Sequence, residues 1–142
     1  MRRFLGTSTV VAVCLTLLAS AGTACGQDTP SAKKARGRLK EKISIDVTET
    51  RLKDVLDEIK REMNNKVSFK IDNASGVSNN TKLTCKAEDK TLAQILDDVC
   101  TKNDMGYIII SRAGDRYDGW ILIRKGKGKE RGYEDGKEPG GK

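Results

Sequence analysis

The chain has 142 residues, with 27 Lys and Arg against 20 Asp and Glu, no histidine, and a formal charge of +7. That length allows one small domain. The absence of histidine excludes Cys-His and Ser-His-Asp nucleophile arrangements and argues against a transition-metal centre, so no catalytic residue, cofactor or metal is expected.

Residues 1–24 read as an address, a signal peptide. Arg2 and Arg3 give a positive start, Val10 to Ala19 an apolar run, and ASAGTAC the small residues at which a peptidase cuts. The apolar run is shorter than the roughly 20 residues of a membrane span. Export is therefore expected: to a periplasm or an envelope membrane, or otherwise into the medium. Two cuts stay open. Ala19-Ser20-Ala21 fits ordinary cleavage, whereas Gly22-Thr23-Ala24-Cys25 resembles a bacterial lipoprotein signal in which Cys25 becomes the lipidated first residue and a membrane anchor. Gly22 departs from the aliphatic residue usual there. Cys14 leaves with the signal, so Cys25, Cys85 and Cys100 remain, and lipidation of Cys25 would leave an even pair.

Residues 25–42, including SAKKARGRLKEK, hold six Lys/Arg and two acids and read as a flexible basic linker. Residues 125–142, with KGKGKERG, read as a disordered Gly/Lys-rich tail. Between them residues 43–124 carry 13 cations and 14 acids. A folded part so near neutrality lacks the basic stripe of a nucleic-acid module, and nucleic acid is not an expected partner. The basic flanks read as solvated arms or as attachments to anionic headgroups or another polyanion.

Within the domain, Ile43, Ile45 and Val47 alternate as one face of a strand. From Leu52 the spacing changes to Leu52, Val55, Leu56, Ile59 and Met63, a helix on a core, with Thr50 as the expected N-cap. Asn64-Asn65 ends it, and Val67, Phe69 and Ile71 alternate again. Shifted by forty residues, the pattern recurs. Ile43, Ile45 and Val47 fall on Leu83, Cys85 and Ala87; Leu52, Val55, Leu56 and Ile59 fall on Leu92, Ile95, Leu96 and Val99; Val67 and Phe69 fall on Tyr107 and Ile109. A unit of this size cannot bury its own face, so the expected fold is α+β: two pseudo-repeated β-α-β units packed as one small domain. Residues 107–110 are apolar on both faces and predict the most enclosed strand. Ser111 to Asp115 should turn the chain into a last strand at Trp120–Ile123, closing a C-terminal β-hairpin in which Trp120 packs rather than binds a ligand.

ISIDVTETRLKDVLDEIKREMNNKVSFKID followed by LTCKAEDKTLAQILDDVCTKNDMGYIII resembles the secretin and TonB N-terminus short domain over residues 43–124. The resemblance implies an α+β periplasmic module that docks partner proteins and catalyses nothing. Secretins and transporters continue into a barrel, so pore formation and transport are not carried over.

Asp54, Asp57 and Glu58 on the first helix, and Asp97 and Asp98 on the second, fall between the apolar columns and read as solvated faces. Cys85 lies on an inward strand column and Cys100 at the end of the helix returning over it, so a disulfide between them is expected, with two buried thiols the other reading. The functional expectation is an exported protein–protein interaction module with an envelope protein partner and no small-molecule substrate. The alternatives are a small secreted carboxylate-dependent enzyme, for which two or more of Asp54, Asp57, Asp97 and Asp98 would have to line one pocket with raised pKa values rather than lie scattered and exposed, or a polyanion or membrane-surface binder acting through the basic arms.

Overall fold

Strands run straight into helices in this molecule, and they do so twice. The structure, a computed structural model, describes residues 28–126 and 131–133. Strand β1 (Lys42–Arg51) passes into helix α2 (Leu52–Glu62), and strand β3 (Lys82–Thr91) into helix α3 (Leu92–Lys102). Each boundary in the second unit lies forty residues after its counterpart. Helix α1 (Pro30–Arg38) precedes them; β2 (Phe69–Ile71), β4 (Met105–Ile109), β5 (Ile121–Lys125) and β6 (Arg131–Gly132) complete the chain. The fold is α+β, with β1 and β3 as one antiparallel sheet and β2-β5-β4-β6 as the other.

The repeat has a two-fold axis, and its signature lies in the pairing register. Asp46 faces Lys86, its own equivalent at the forty-residue offset, while Ile45 faces Ala87 and Val47 faces Cys85. The register shifts once on either side, between Ile43 and Ile45 and between Val47 and Thr50. At these bulges Glu49 and Asp89 adopt left-handed φ of 50° and 48°, a conformation disfavoured for residues with a Cβ. The same device stabilises both: Glu49 N–H donates to Thr84 Oγ1 at 3.1 Å and Asp89 N–H to Ser44 Oγ at 3.0 Å. Even the exposed ion pairs recur, Lys42 with Asp89 and Lys82 with Glu49.

The units also complete each other's helix starts. Leu52 and Lys53 N–H groups donate to Thr81 and Asn79 carbonyls at 2.8 and 3.2 Å, and Leu92 and Ala93 N–H groups to Glu41 and Leu39 carbonyls, both at 2.9 Å. These donors have no partner inside their own helix, so each unit supplies what the other lacks. The N-cap of α2 is Arg51, without a side-chain bond, and not the expected Thr50, which stays in β1. Thr91 caps α3 in a reciprocal capping box with Gln94.

Leu52, Val55, Leu56, Ile59 and Met63 of the first unit and Leu92, Ile95, Leu96, Val99 and Cys100 of the second are all buried in one cluster. In the second sheet, β5 lies between β2, which it pairs in parallel, and β4, which it pairs antiparallel. Leu122 stands opposite Lys70 on one side and Ile108 on the other, so the axis passes through β5 and relates Phe69 to Tyr107 and Ile71 to Ile109. The offset there is thirty-eight, two fewer than the sequence alignment gave, because the turn after α2 is longer. Asn64 and Asn65 are both left-handed where the second unit has Asp104 alone. Inward parity survives a shift of two, which is why the apolar columns matched anyway. β4 is buried at all five positions; the expected run 107–110 supplies three of them, while Ile110 lies beyond the strand and is half-buried.

Two segments depart from the expected arms. Residues 30–38 of the proposed flexible linker form α1, seated by Ala32 and Ala35 together with Leu39, all buried. Thr29 is its N-cap and Pro30 its first residue, a start signal that the charge run masked. Within the proposed disordered tail, Lys125 belongs to β5 and Arg131–Gly132 form β6, parallel to β4. The proposed signal peptide, residues 1–24, and Cys25 after it lie outside the described residues, as does most of the tail.

Helix α1 is fixed at both ends. Thr29 N–H donates to Ser111 Oγ at 2.9 Å, and the Thr29 hydroxyl donates to Asp118 Oδ1 at 2.6 Å, holding that carboxyl below its usual range. Arg36 forks onto Asp28 at 2.6 and 3.2 Å, donates to the Gly132 carbonyl and covers the Tyr133 ring at 3.6 Å. Gly119, at φ 81°, leaves the space that Ser31 fills: a Cβ there would lie 2.8 Å from Ser31 Cβ. Gly119→Ala is expected to cost about 1–3 kcal/mol and to loosen α1, seen as a lower urea midpoint and faster tryptic cleavage after Lys33 and Lys34. Unchanged cleavage would mean that this contact does not hold the helix.

Candidate interaction site

The twofold makes the two outer edges of the second sheet comparable. The edge of β4 carries β6, with Arg131 opposite Tyr107 and Gly132 opposite Ile108. The equivalent edge of β2 carries no strand among the described residues. Ser68 C=O and Asp72 N–H bond inward to Ile121 and Ile123 of β5, at 2.9 and 2.8 Å. By alternation the backbone groups of Phe69 and Ile71 point to the open side. Phe69 and Ile71 are themselves only half-buried, packed on the core margin.

Beside that edge lies a groove of about 260 Å³ lined by Lys53, Leu56, Asp57, Phe69, Ile71, Asn73 and Asn79. The Asn79 side-chain oxygen is buried without a hydrogen-bond partner among the described residues. Leaving such an acceptor unmet costs about 1–3 kcal/mol, and an incoming N–H would satisfy it. An open pair of strand residues, an apolar floor and an unmet acceptor are what an extended peptide needs.

The carboxylates form no single constellation. Asp54, Asp57 and Glu58 line a cleft of about 470 Å³ between α2 and β1, together with Asp46, Glu62 and Arg61. Asp97 and Asp98 lie on α3 and serve separate partners: Asp98 takes Lys90 Nζ at 2.9 Å, and Asp97 stands 3.8 Å from Arg131. Burial pushes the Asp97 carboxyl up, against the pull of Arg131. The cleft thus gathers two of the four named acids, Asp54 and Asp57, both exposed. Among the described residues no group of three or more His, Cys, Asp or Glu is placed to hold a metal ion, and no helix is long and apolar enough to cross a membrane.

The expected Cys85–Cys100 disulfide is absent: both residues are buried free thiols. Cys85 sits on β3 and Cys100 on α3; Cys85 feels the charges of Lys102 and Asp98, and Cys100 that of Asp97. Burial pushes the Cys85 thiol up, and it pushes Cys100 up to about 12. A thiol held protonated is a poor nucleophile and a poor redox switch.

Sequence reasoning missed β6 and the Asn79 acceptor. Arg131-Gly132 carries no strand pattern, and Asn79 stands in a run of turn residues. Compared with known proteins, the chain matches no family model, no curated protein and no solved structure.

Proposed function

We propose that the chain is an exported, non-catalytic interaction module that takes an extended segment of an envelope protein along the outer edge of β2. The observation that carries this reading is β6, an extended segment already paired to the twofold-related edge of β4. Main-chain bonds to Phe69 and Ile71 would supply affinity, and the groove between β2 and α2 would select side chains. The resemblance to the secretin and TonB N-terminus short domain, a partner-docking module, points the same way. The signal-like residues 1–24 support an envelope partner, and lipidation at Cys25 would hold the module on a membrane.

A photo-crosslinking residue at Lys70, introduced in the native host, is expected to trap one envelope protein. A peptide covering the trapped segment should then slow amide exchange at Phe69 and Ile71. Ile71→Pro removes an outward N–H without breaking a β5 bond and is expected to weaken the peptide at least tenfold, about 1.4 kcal/mol. Crosslinks that arise only from Asp46 or Glu58 would move the site to the acidic cleft and sink this assignment.

A further inference from the structure

The basic segment before the repeats is a helix, and its cations therefore have fixed directions. Ala32, Ala35 and Leu39 recur at i, i+3 and i+7 and are buried, which turns the opposite arc of α1 to solvent. Lys33 and Lys34 are exposed on that arc, with Gly37 between it and the turn after α1, where Lys40 is also exposed. Arg38, also on the arc, is paired with Glu41 at 2.6 Å. The Thr29–Asp118 bond at one end and the Arg36 contacts to Asp28, Gly132 and Tyr133 prevent the helix from rolling.

A second feature adjoins this face. Leu39, Ala93 and Tyr133 line a shallow recess of about 270 Å³ together with Lys40, with Arg36, which is paired with Asp28, and with Arg131, 3.8 Å from Asp97. A fully hydrated polyanion would need the cations alone. A recess lined by apolar side chains and cations fits a surface that offers phosphate and hydrocarbon together, as a bilayer interface does.

We propose that the exposed face of α1 and the recess beside it form a docking surface for an anionic lipid bilayer, laying the domain on the membrane in one orientation. The surface shares no lining residue with the β2 edge and does not depend on the strand-docking reading. Nor does it need an acyl group at Cys25, although lipidation five residues before Pro30 would deliver this face first. With α1 on the membrane, the cations act as one rigid patch rather than as a flexible tether.

The test uses the chain from residue 25 onward, carrying Cys25→Ser so that no acyl group contributes. It is floated with vesicles of phosphatidylcholine alone and of equal parts phosphatidylcholine and phosphatidylglycerol. Binding is expected only to the anionic vesicles and should fall with added salt. Lys33→Gln, Lys34→Gln and Lys40→Gln together should weaken it roughly a hundredfold, at about fivefold per lysine. Lys125→Gln, Lys127→Gln and Lys129→Gln together should change it by less than about fivefold, because the tail is not the proposed surface. Urea midpoints, expected unchanged for both triple variants, separate loss of surface from loss of fold. A tail effect as large as the helix effect, equal binding to neutral vesicles, or no binding to either would each overturn the proposal.

Discussion

Leu52→Ala and Leu92→Ala are each expected to lower unfolding free energy by about 3 kcal/mol, within the 2–5 kcal/mol typical of buried Leu truncation. The two residues are 1% and 0% exposed and open equivalent helices. The pairing geometry argues for nearly equal losses, because each helix start is completed by the other unit: Leu52 N–H by Thr81, Leu92 N–H by Glu41. A domain of this size has about 5–15 kcal/mol in total, so the double variant should be largely unfolded at ambient temperature. The shape of the transition is as informative as its midpoint. If the core is shared, each single variant unfolds in one step, with tryptophan fluorescence and far-UV circular dichroism coincident. Biphasic curves, with one unit surviving the loss of the other, would refute a common core. Thr48→Ala, on the exposed face of β1, is the control and should move the midpoint little.

What could be read from the sequence was the part governed by periodicity. The columns led by Leu52 and Leu92 are the core, and the forty-residue shift predicted two units before any register was known. Single residues decided the rest. Nothing in Glu49 or Asp89 announces a left-handed bulge, since the bulge exists only once Thr84 and Ser44 are opposite to accept their N–H groups. Likewise Ala32, Ala35 and Leu39 carry too little apolar area to stand out in a run of six cations, and α1 is held as much by Thr29, Arg36 and the space at Gly119. The cysteines show a different limit. A strand column and a helix end can be adjacent in the pattern without their thiols meeting, because bonding depends on the rotation about α3, and both Cys85 and Cys100 are buried and free. The open edge of β2 was visible only through the twofold, because β6 defines what an occupied edge looks like.

Stability is expected to fall steeply in alkali, and Cys100 should be a main cause. Its thiol is 4% exposed, with burial the first cause and the charge of Asp97 the second in pushing it up to about 12. In the unfolded chain the same thiol ionises near pH 8.5–9. Above that pH the unfolded state releases a proton that the folded state keeps, so the folded state binds more protons and stability declines as pH rises. The decline runs from about pH 9 to about pH 12 at roughly 1.4 kcal/mol per unit, or about 4 kcal/mol from this group. Tyr107, also pushed up chiefly by burial, adds to the loss above its ordinary range, and Cys85 acts in the same direction. Cys100→Ala separates these contributions. At pH 7 it should be less stable than the parent by about 1–2 kcal/mol through lost packing, yet above about pH 10 it should be the more stable of the two. Urea melts at pH 7, 9, 10 and 11 would show the two stability curves crossing. Parallel curves would contradict a buried, protonated Cys100, and so would a parent whose alkaline limb is unchanged by the substitution. A Cys85–Cys100 disulfide would give that second pattern, since it has no thiol to titrate; its signature would be a parent that gains no stability loss from Cys100 until a reductant is added.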